Sequence, residues 1–151
     1  MKLPSMQQIT DEALRTLRRF PFVLFVAAVG TIAALILSEY EGDDAVLFAQ
    51  RLLYPALFGV AFLTGLALLS EKRRMRGGVS VAMQAAGVLL LGIYAWLLPE
   101  DVFSPPQVHG IRLLMLAAGM HLFVAVAPFT GRGEINGFWH YNKSLFLRLL
   151  T

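Results

Sequence analysis

The sequence predicts an all-α polytopic membrane protein with four transmembrane helices, preceded by a short amphipathic interfacial helix. Two features of the composition support this class: 57% of the 151 residues are hydrophobic and only 15% are charged, whereas soluble domains carry about 25% charged residues. A third observation decides the fold class. The apolar residues form four runs of about 20, the length that a helix needs to cross a hydrocarbon core about 30 Å thick.

The first predicted element is an amphipathic helix on the cytoplasmic surface, within residues 1–19. Apolar residues recur there every three or four positions, and arginines lie beside them, which is typical of a helix in the headgroup plane. Pro21 disfavours helical backbone at Phe20, so the chain is predicted to bend there into the first span. A cleaved signal peptide is the alternative, but its apolar run would be only about 7 to 15 residues long.

The four spans of the predicted bundle, residues 20–129, lie at 20–38, 46–70, 79–98 and 110–129. The first and third contain no charged residue. Residues 130–151 are predicted to form a cytoplasmic loop and the start of an interfacial or fifth helix, because the final apolar stretch is too short to cross a bilayer. We expect the chain to be the front part of a longer polytopic protein; a complete four-span protein is the alternative.

The basic residues predict the orientation of the spans. Eleven of the 13 lysines and arginines lie in the N-terminal segment, the second connection and the tail, whereas the other two connections are acidic. Lysine and arginine are retained in the cytoplasm, so both termini are predicted there. The same dispersal argues against nucleic-acid binding, which needs basic residues gathered on one folded face. Arg73, Arg74 and Arg76 are instead predicted to attract anionic lipid.

The tail contains a segment, residues 133–148, that resembles a known family. The positions concerned are Phe138-Trp139, Tyr141-Asn142-Lys143, Leu145-Phe146 and Arg148. They resemble the Phe-Trp-x-Tyr-Asn-Lys-x-Leu-Phe-x-Arg signature of a bacterial inner-membrane family, domain of unknown function 4153. The resemblance covers about a tenth of the chain. It implies a multi-span protein of the bacterial cytoplasmic membrane that continues beyond the signature, and it implies no activity.

His121, near the middle of the fourth span, is the first candidate functional residue. A polar group at that depth needs a partner, and Thr64 and Gln84 lie at similar depth on neighbouring spans. One hypothesis is a proton or cation relay, since imidazole titrates near neutral pH. The other is interhelical hydrogen bonding that fixes the packing. We favour the second, because no intramembrane carboxylate accompanies His121.

Arg51 and Arg112, near the outer ends of the second and fourth spans, are the other candidates. Each guanidinium is close enough to the interface to extend into the headgroup layer. They could also pair with the acidic residues of the outer connections, which are Glu39, Glu41, Asp43, Asp44, Glu100 and Asp101. The sharper hypothesis is that both bind one anionic lipid or substrate, because a planar guanidinium suits phosphate or carboxylate.

Catalysis receives little support from the sequence. There is no cysteine, no nucleophile stands beside a base, and the three histidines lie at three different depths, so no metal site, cofactor or catalytic residue is predicted. Two functions stay open. The favoured one is a non-enzymatic helical module of a larger protein or assembly. The alternative is a transport or permeation unit for a proton, an ion or a small anionic solute, using His121, Gln84 and Thr64 as its path.

Overall fold

A computed structural model describes residues 6–39, 42–99, 102, 108–130 and 135–150. Within these ranges 92% of the residues are helical and no strand occurs, which confirms the all-α prediction. The helices, in chain order, are α1 (Met6–Arg19), α2 (Pro21–Glu39), α3 (Asp43–Lys72), α4 (Gly77–Leu97), α5 (Val108–Val126) and α6 (Ile135–Leu150), with a short 3-10 helix at Ala127–Phe129.

Helices α2 to α5 are each long and apolar enough to cross a membrane, as the four apolar runs predict. The helix bounds differ from the predicted ones by up to three residues, which is the difference at the start of α3 and at the end of α5. α5 ends before the predicted limit because Pro128 has no N–H to continue the α-helical ladder. At 1.5 Å per residue the 30 residues of α3 span about 45 Å, so both of its ends reach beyond a hydrocarbon core of about 30 Å.

The long helix α3 is the centre of the bundle. α2, α4 and α5 each pack against it. Half of its apolar window is buried, compared with 17% for each of the other three spans. The buried core accordingly includes Phe58 and Leu63 of α3, with contributions from each of the other three spans.

Small residues allow the helices to approach α3 closely, as is usual between transmembrane helices. A methyl group built on Gly30 of α2 would lie 2.8 Å from the Cβ of Ala56. On α4, a methyl group on Gly87 would lie 2.9 Å from Cδ2 of Leu63. Both distances are too short for real carbon contacts. At Gly30 the neighbouring Cβ cannot move without its helix, so glycine is required there for the observed packing of α2 on α3, whereas at Gly87 the end of the Leu63 side chain would have to shift.

The break between α1 and α2 lies at Phe20, where the sequence predicts it. The hydrogen bonds continue across this residue: its N–H donates to the carbonyl of Thr16 (3.0 Å), and its own carbonyl accepts from Leu24 N–H (3.1 Å). α1 exposes the apolar side chains of Met6, Leu14 and Leu17, which are available to the boundary between headgroups and acyl chains.

Aromatic rings hold the beginning of α6 against the end of the α5 segment. The ring of Phe129 lies 5.5 Å from that of Phe138, edge to face, and 5.4 Å from that of Tyr141. Edge-to-face packing of this kind adds about 0.5–1.5 kcal/mol per pair beyond the burial of area. The first two turns of α6 are therefore fixed beside the end of the fourth span.

Candidate functional site

A chain of hydrogen bonds joins α3 to α4 where the two helices approach their short connection. Gln84 Nε2 donates to Ser80 Oγ (3.3 Å), Ser80 Oγ donates to Ser70 Oγ (2.8 Å), and Ser70 Oγ donates to the carbonyl of Ala67 (2.8 Å). The side chains of Ser70 and Gln84 are buried. Ser80 and Gln84 are four residues apart on α4, so they share one face of that helix.

One side-chain atom in this chain of hydrogen bonds has no hydrogen-bond partner. The Oε1 atom of Gln84 is buried and accepts no hydrogen bond within the part of the chain that the structure describes. Turning the amide over would place the nitrogen there instead, so one amide group stays unpaired in either orientation. A buried polar group without a partner costs about 1–3 kcal/mol. The hydrogen-bond chain therefore connects α3 to α4 and leaves one buried amide group without a partner.

Thr64 takes its hydrogen bond within its own helix. Its hydroxyl donates to the carbonyl of Val60 at 2.7 Å, four residues earlier on α3. This geometry is common for threonine in transmembrane helices, since it satisfies the hydroxyl without a second helix.

His121 also bonds within its own helix rather than to a neighbour, contrary to the expected interhelical bond. Its Nδ1 lies 2.8 Å from the carbonyl oxygen of Ala117. A carbonyl only accepts, so Nδ1 carries the proton, and in the neutral ring Nε2 is then an acceptor. The side chain is exposed on the outer surface of α5. Among the described residues nothing donates to Nε2.

The three residues of the proposed polar path are not linked. Gln84 is buried against α3, whereas His121 lies on the exposed side of α5. No hydrogen bond joins any two of Gln84, Thr64 and His121 in the described ranges. Their joint role in permeation stays a prediction.

The two outer arginines lie in different surroundings. Arg51 is partly buried, and its Nε is fully buried and unpartnered within the described ranges; Arg112 is exposed. Neither forms an ion pair with a described acidic residue. The predicted partners Glu41, Glu100 and Asp101 lie outside the described residues, as does the side chain of Asp43. A common anion site for the two arginines stays a prediction.

An ion pair that the sequence does not signal joins α1 to α3. Arg19 Nε donates to Glu71 Oε1 (2.7 Å), and Arg19 Nη2 donates to Glu71 Oε2 (2.6 Å). These hydrogen bonds raise the pKa of Arg19 above its ordinary value. The two residues are 52 positions apart, and only the folded hairpin brings them together.

Two features of the described residues bear on metal and ligand binding. They contain no group of three or more histidine, cysteine, aspartate or glutamate side chains that could hold a metal ion. A cleft of about 220 Å³ lies between α2, α3 and α4, and every residue that lines it is apolar. It supplies space for an apolar chain but no acid, base or nucleophile.

No protein-family model, curated protein or solved structure matches this chain. Membership of the family that residues 133–148 resemble stays a prediction. What the fold itself establishes is a multi-pass membrane protein built around α3.

Proposed function

We propose that the protein is a non-enzymatic helical module of the bacterial inner membrane that assembles with further transmembrane helices. These helices belong either to the continuation of a longer protein, of the family whose signature the tail resembles, or to partner subunits. Both termini face the cytoplasm in this proposal, and Arg73, Arg74 and Arg76 face anionic lipid there. The proposal rests on one observation, the orientation of His121.

His121 supports a partner helix because its unpaired nitrogen faces outward. The imidazole lies within the apolar span Val108–Phe129, where lipid cannot donate a hydrogen bond, and Nε2 has no donor among the described residues. Intramembrane polar groups usually face a bundle interior and find partners there. A neighbouring helix that carries a hydroxyl or amide donor at this depth would satisfy Nε2 and cover the exposed side of α5.

The surface around His121 suits close approach of another helix. Leu114 and Ala118 lie seven and three residues before His121, so all three share one face of α5. Ala118 is exposed, and Leu114 is 64% exposed. Small residues allow the backbones of neighbouring helices to approach closely. We call Leu114, Ala118 and His121 the α5 face.

Photocrosslinking in native membranes tests the α5 face. A photoreactive phenylalanine analogue at Leu114 is expected to form an adduct with a transmembrane segment, and the same analogue at Leu89, equally exposed on α4, is expected to react with lipid alone. Ala118→Leu should abolish the protein adduct by blocking close approach, and His121→Leu should reduce it several-fold. Ala86→Leu, at an exposed alanine of α4, is the control. Adducts unchanged by Ala118→Leu would contradict the proposal.

The orientation is tested separately by topology reporters. A reporter fused at Arg74, in the basic connection between α3 and α4, is expected to be active only in the cytoplasm. A reporter at Asp43, at the opposite end of α3, is expected to be active only in the periplasm, because basic connections are retained inside. Equal periplasmic accessibility of both positions would refute the four-span threading itself.

The transport alternative lacks comparable support. Its path would need Gln84, Thr64 and His121 to be linked, and each of them instead bonds within its own helix or hairpin. The cleft between α2, α3 and α4 is lined by apolar residues and presents no polar group to a permeating ion.

A further inference from the structure

The connection between α3 and α4 contains an arginine in a conformation that glycine normally adopts. Arg74 has φ 48°, and it is the one non-glycine residue with a positive φ in the described part of the chain. Its N–H donates to the carbonyl of Glu71 (3.0 Å), and the N–H of Met75 donates to the carbonyl of Ser70 (3.0 Å). These two bonds form a Schellman motif, in which the residue at this position is usually glycine.

No protein contact explains the choice of arginine at this position. The Arg74 side chain is exposed and forms neither a hydrogen bond nor an ion pair with any described residue. Left-handed backbone costs free energy for a residue with a Cβ, and glycine would avoid that cost. Strain that is retained without a structural benefit points to function. The property that arginine has and glycine lacks at this exposed position is its positive charge.

The ion pair of Arg19 with Glu71 leaves this charge uncompensated. Glu71 is the only acidic residue between Asp44 and Glu100 in the sequence. Each of its oxygens accepts a hydrogen bond from Arg19, and none of the described arginines that follow forms an ion pair with Glu71. The pair also holds Arg19, the last residue of α1, against the end of α3 beside the connection. Arg73, Arg74 and Arg76 together form what we call the arginine surface.

We propose that the arginine surface binds the phosphate of an anionic phospholipid headgroup. Its depth favours a lipid, since α3 ends and α4 begins at this level and α1 exposes apolar residues beside it. Guanidinium groups bind phosphate through paired, charge-assisted hydrogen bonds. Which leaflet supplies the lipid follows from the orientation proposed above, whereas binding itself does not depend on it, so the two proposals fail separately.

Native mass spectrometry of the full chain in a neutral detergent tests this site. The probes are phosphatidylglycerol and phosphatidylcholine with identical acyl chains, and inorganic phosphate alone. We expect selective retention of phosphatidylglycerol. Arg74→Gly and Arg74→Asn should each lower its apparent affinity by about fivefold, the effect of one basic residue near an anionic surface, while Arg74→Lys keeps most of the affinity.

A purely structural role for Arg74 would give a different pattern. Arg74→Gly should raise the melting temperature, because it relieves the left-handed strain, while it weakens lipid binding; the two readouts move in opposite directions. Lys143→Gln, which removes an exposed charge on α6, should leave lipid retention unchanged. Unaltered lipid selectivity in Arg74→Gly, or equal loss in Lys143→Gln, would overturn the proposal. Inorganic phosphate that displaces the lipid at equal concentration would overturn the lipid as the ligand.

Discussion

Replacing Gly30 with leucine is expected to separate α2 from α3 and destabilise the bundle by about 3 kcal/mol or more, beyond the usual range of overpacking. Even a methyl group at this position would lie 2.8 Å from the Cβ of Ala56. The Cβ of alanine cannot rotate away, so only movement of a whole helix relieves the clash. The free energy of unfolding, measured by denaturant titration in bicelles, reports the effect.

Gly92→Leu is the matched control for this experiment. It makes the same change in α4, at a glycine where the added side chain meets open space beside the apolar cleft. We expect no loss of stability, because leucine has the better helix propensity and the surrounding lipid is equally apolar. Equal destabilisation by the two variants would mean that Gly30 is not a point of helix contact.

Leu63→Ala is expected to lower the free energy of unfolding by about 2 kcal/mol, the low end of the range for a buried leucine. Leu63 is completely buried at the centre of α3. Loss of transfer free energy contributes little in a bilayer, since lipid tails are as apolar as leucine. What remains is the cavity, whose lining loses its van der Waals contacts.

Leu57→Ala, in the same helix, is the matched control for Leu63→Ala. Leu57 is 61% exposed, so acyl chains can fill the space that truncation leaves. We expect its effect to stay within about 0.5 kcal/mol, as for surface substitutions in general. If both truncations cost the same, α3 would not be the buried centre of the bundle.

The sequence alone predicts the class of fold, the number of spans and the break at Phe20, because length, hydropathy and proline geometry are local properties. It does not predict which span is central. In water, burial follows hydrophobicity, but in lipid an outward leucine and an inward one have equal transfer free energies. The glycines do not resolve this either: Gly30 lies at a helix contact, whereas Gly92 faces open space, and the two look alike in the sequence.

The candidate site was only partly predictable for similar reasons. Gln84 stands out as a polar residue within an apolar run, but Ser70 and Ser80 lie at the ends of their runs, where serine is unremarkable. The pair of Arg19 with Glu71 depends on the folding of α2 and α3 into a hairpin. The outward orientation of His121 follows from the rotation of α5 about its axis, which an apolar sequence does not encode by pattern.

The central position of α3 also bears on how the chain is made. A ribosome delivers the segments to the insertion machinery in order, so the hairpin of α2 and α3 enters the bilayer before α4 and α5. α4 and α5 then pack against α3, which is already in the bilayer. The order of synthesis therefore matches the order of packing, and neither α2 nor α3 has to move when α4 and α5 insert.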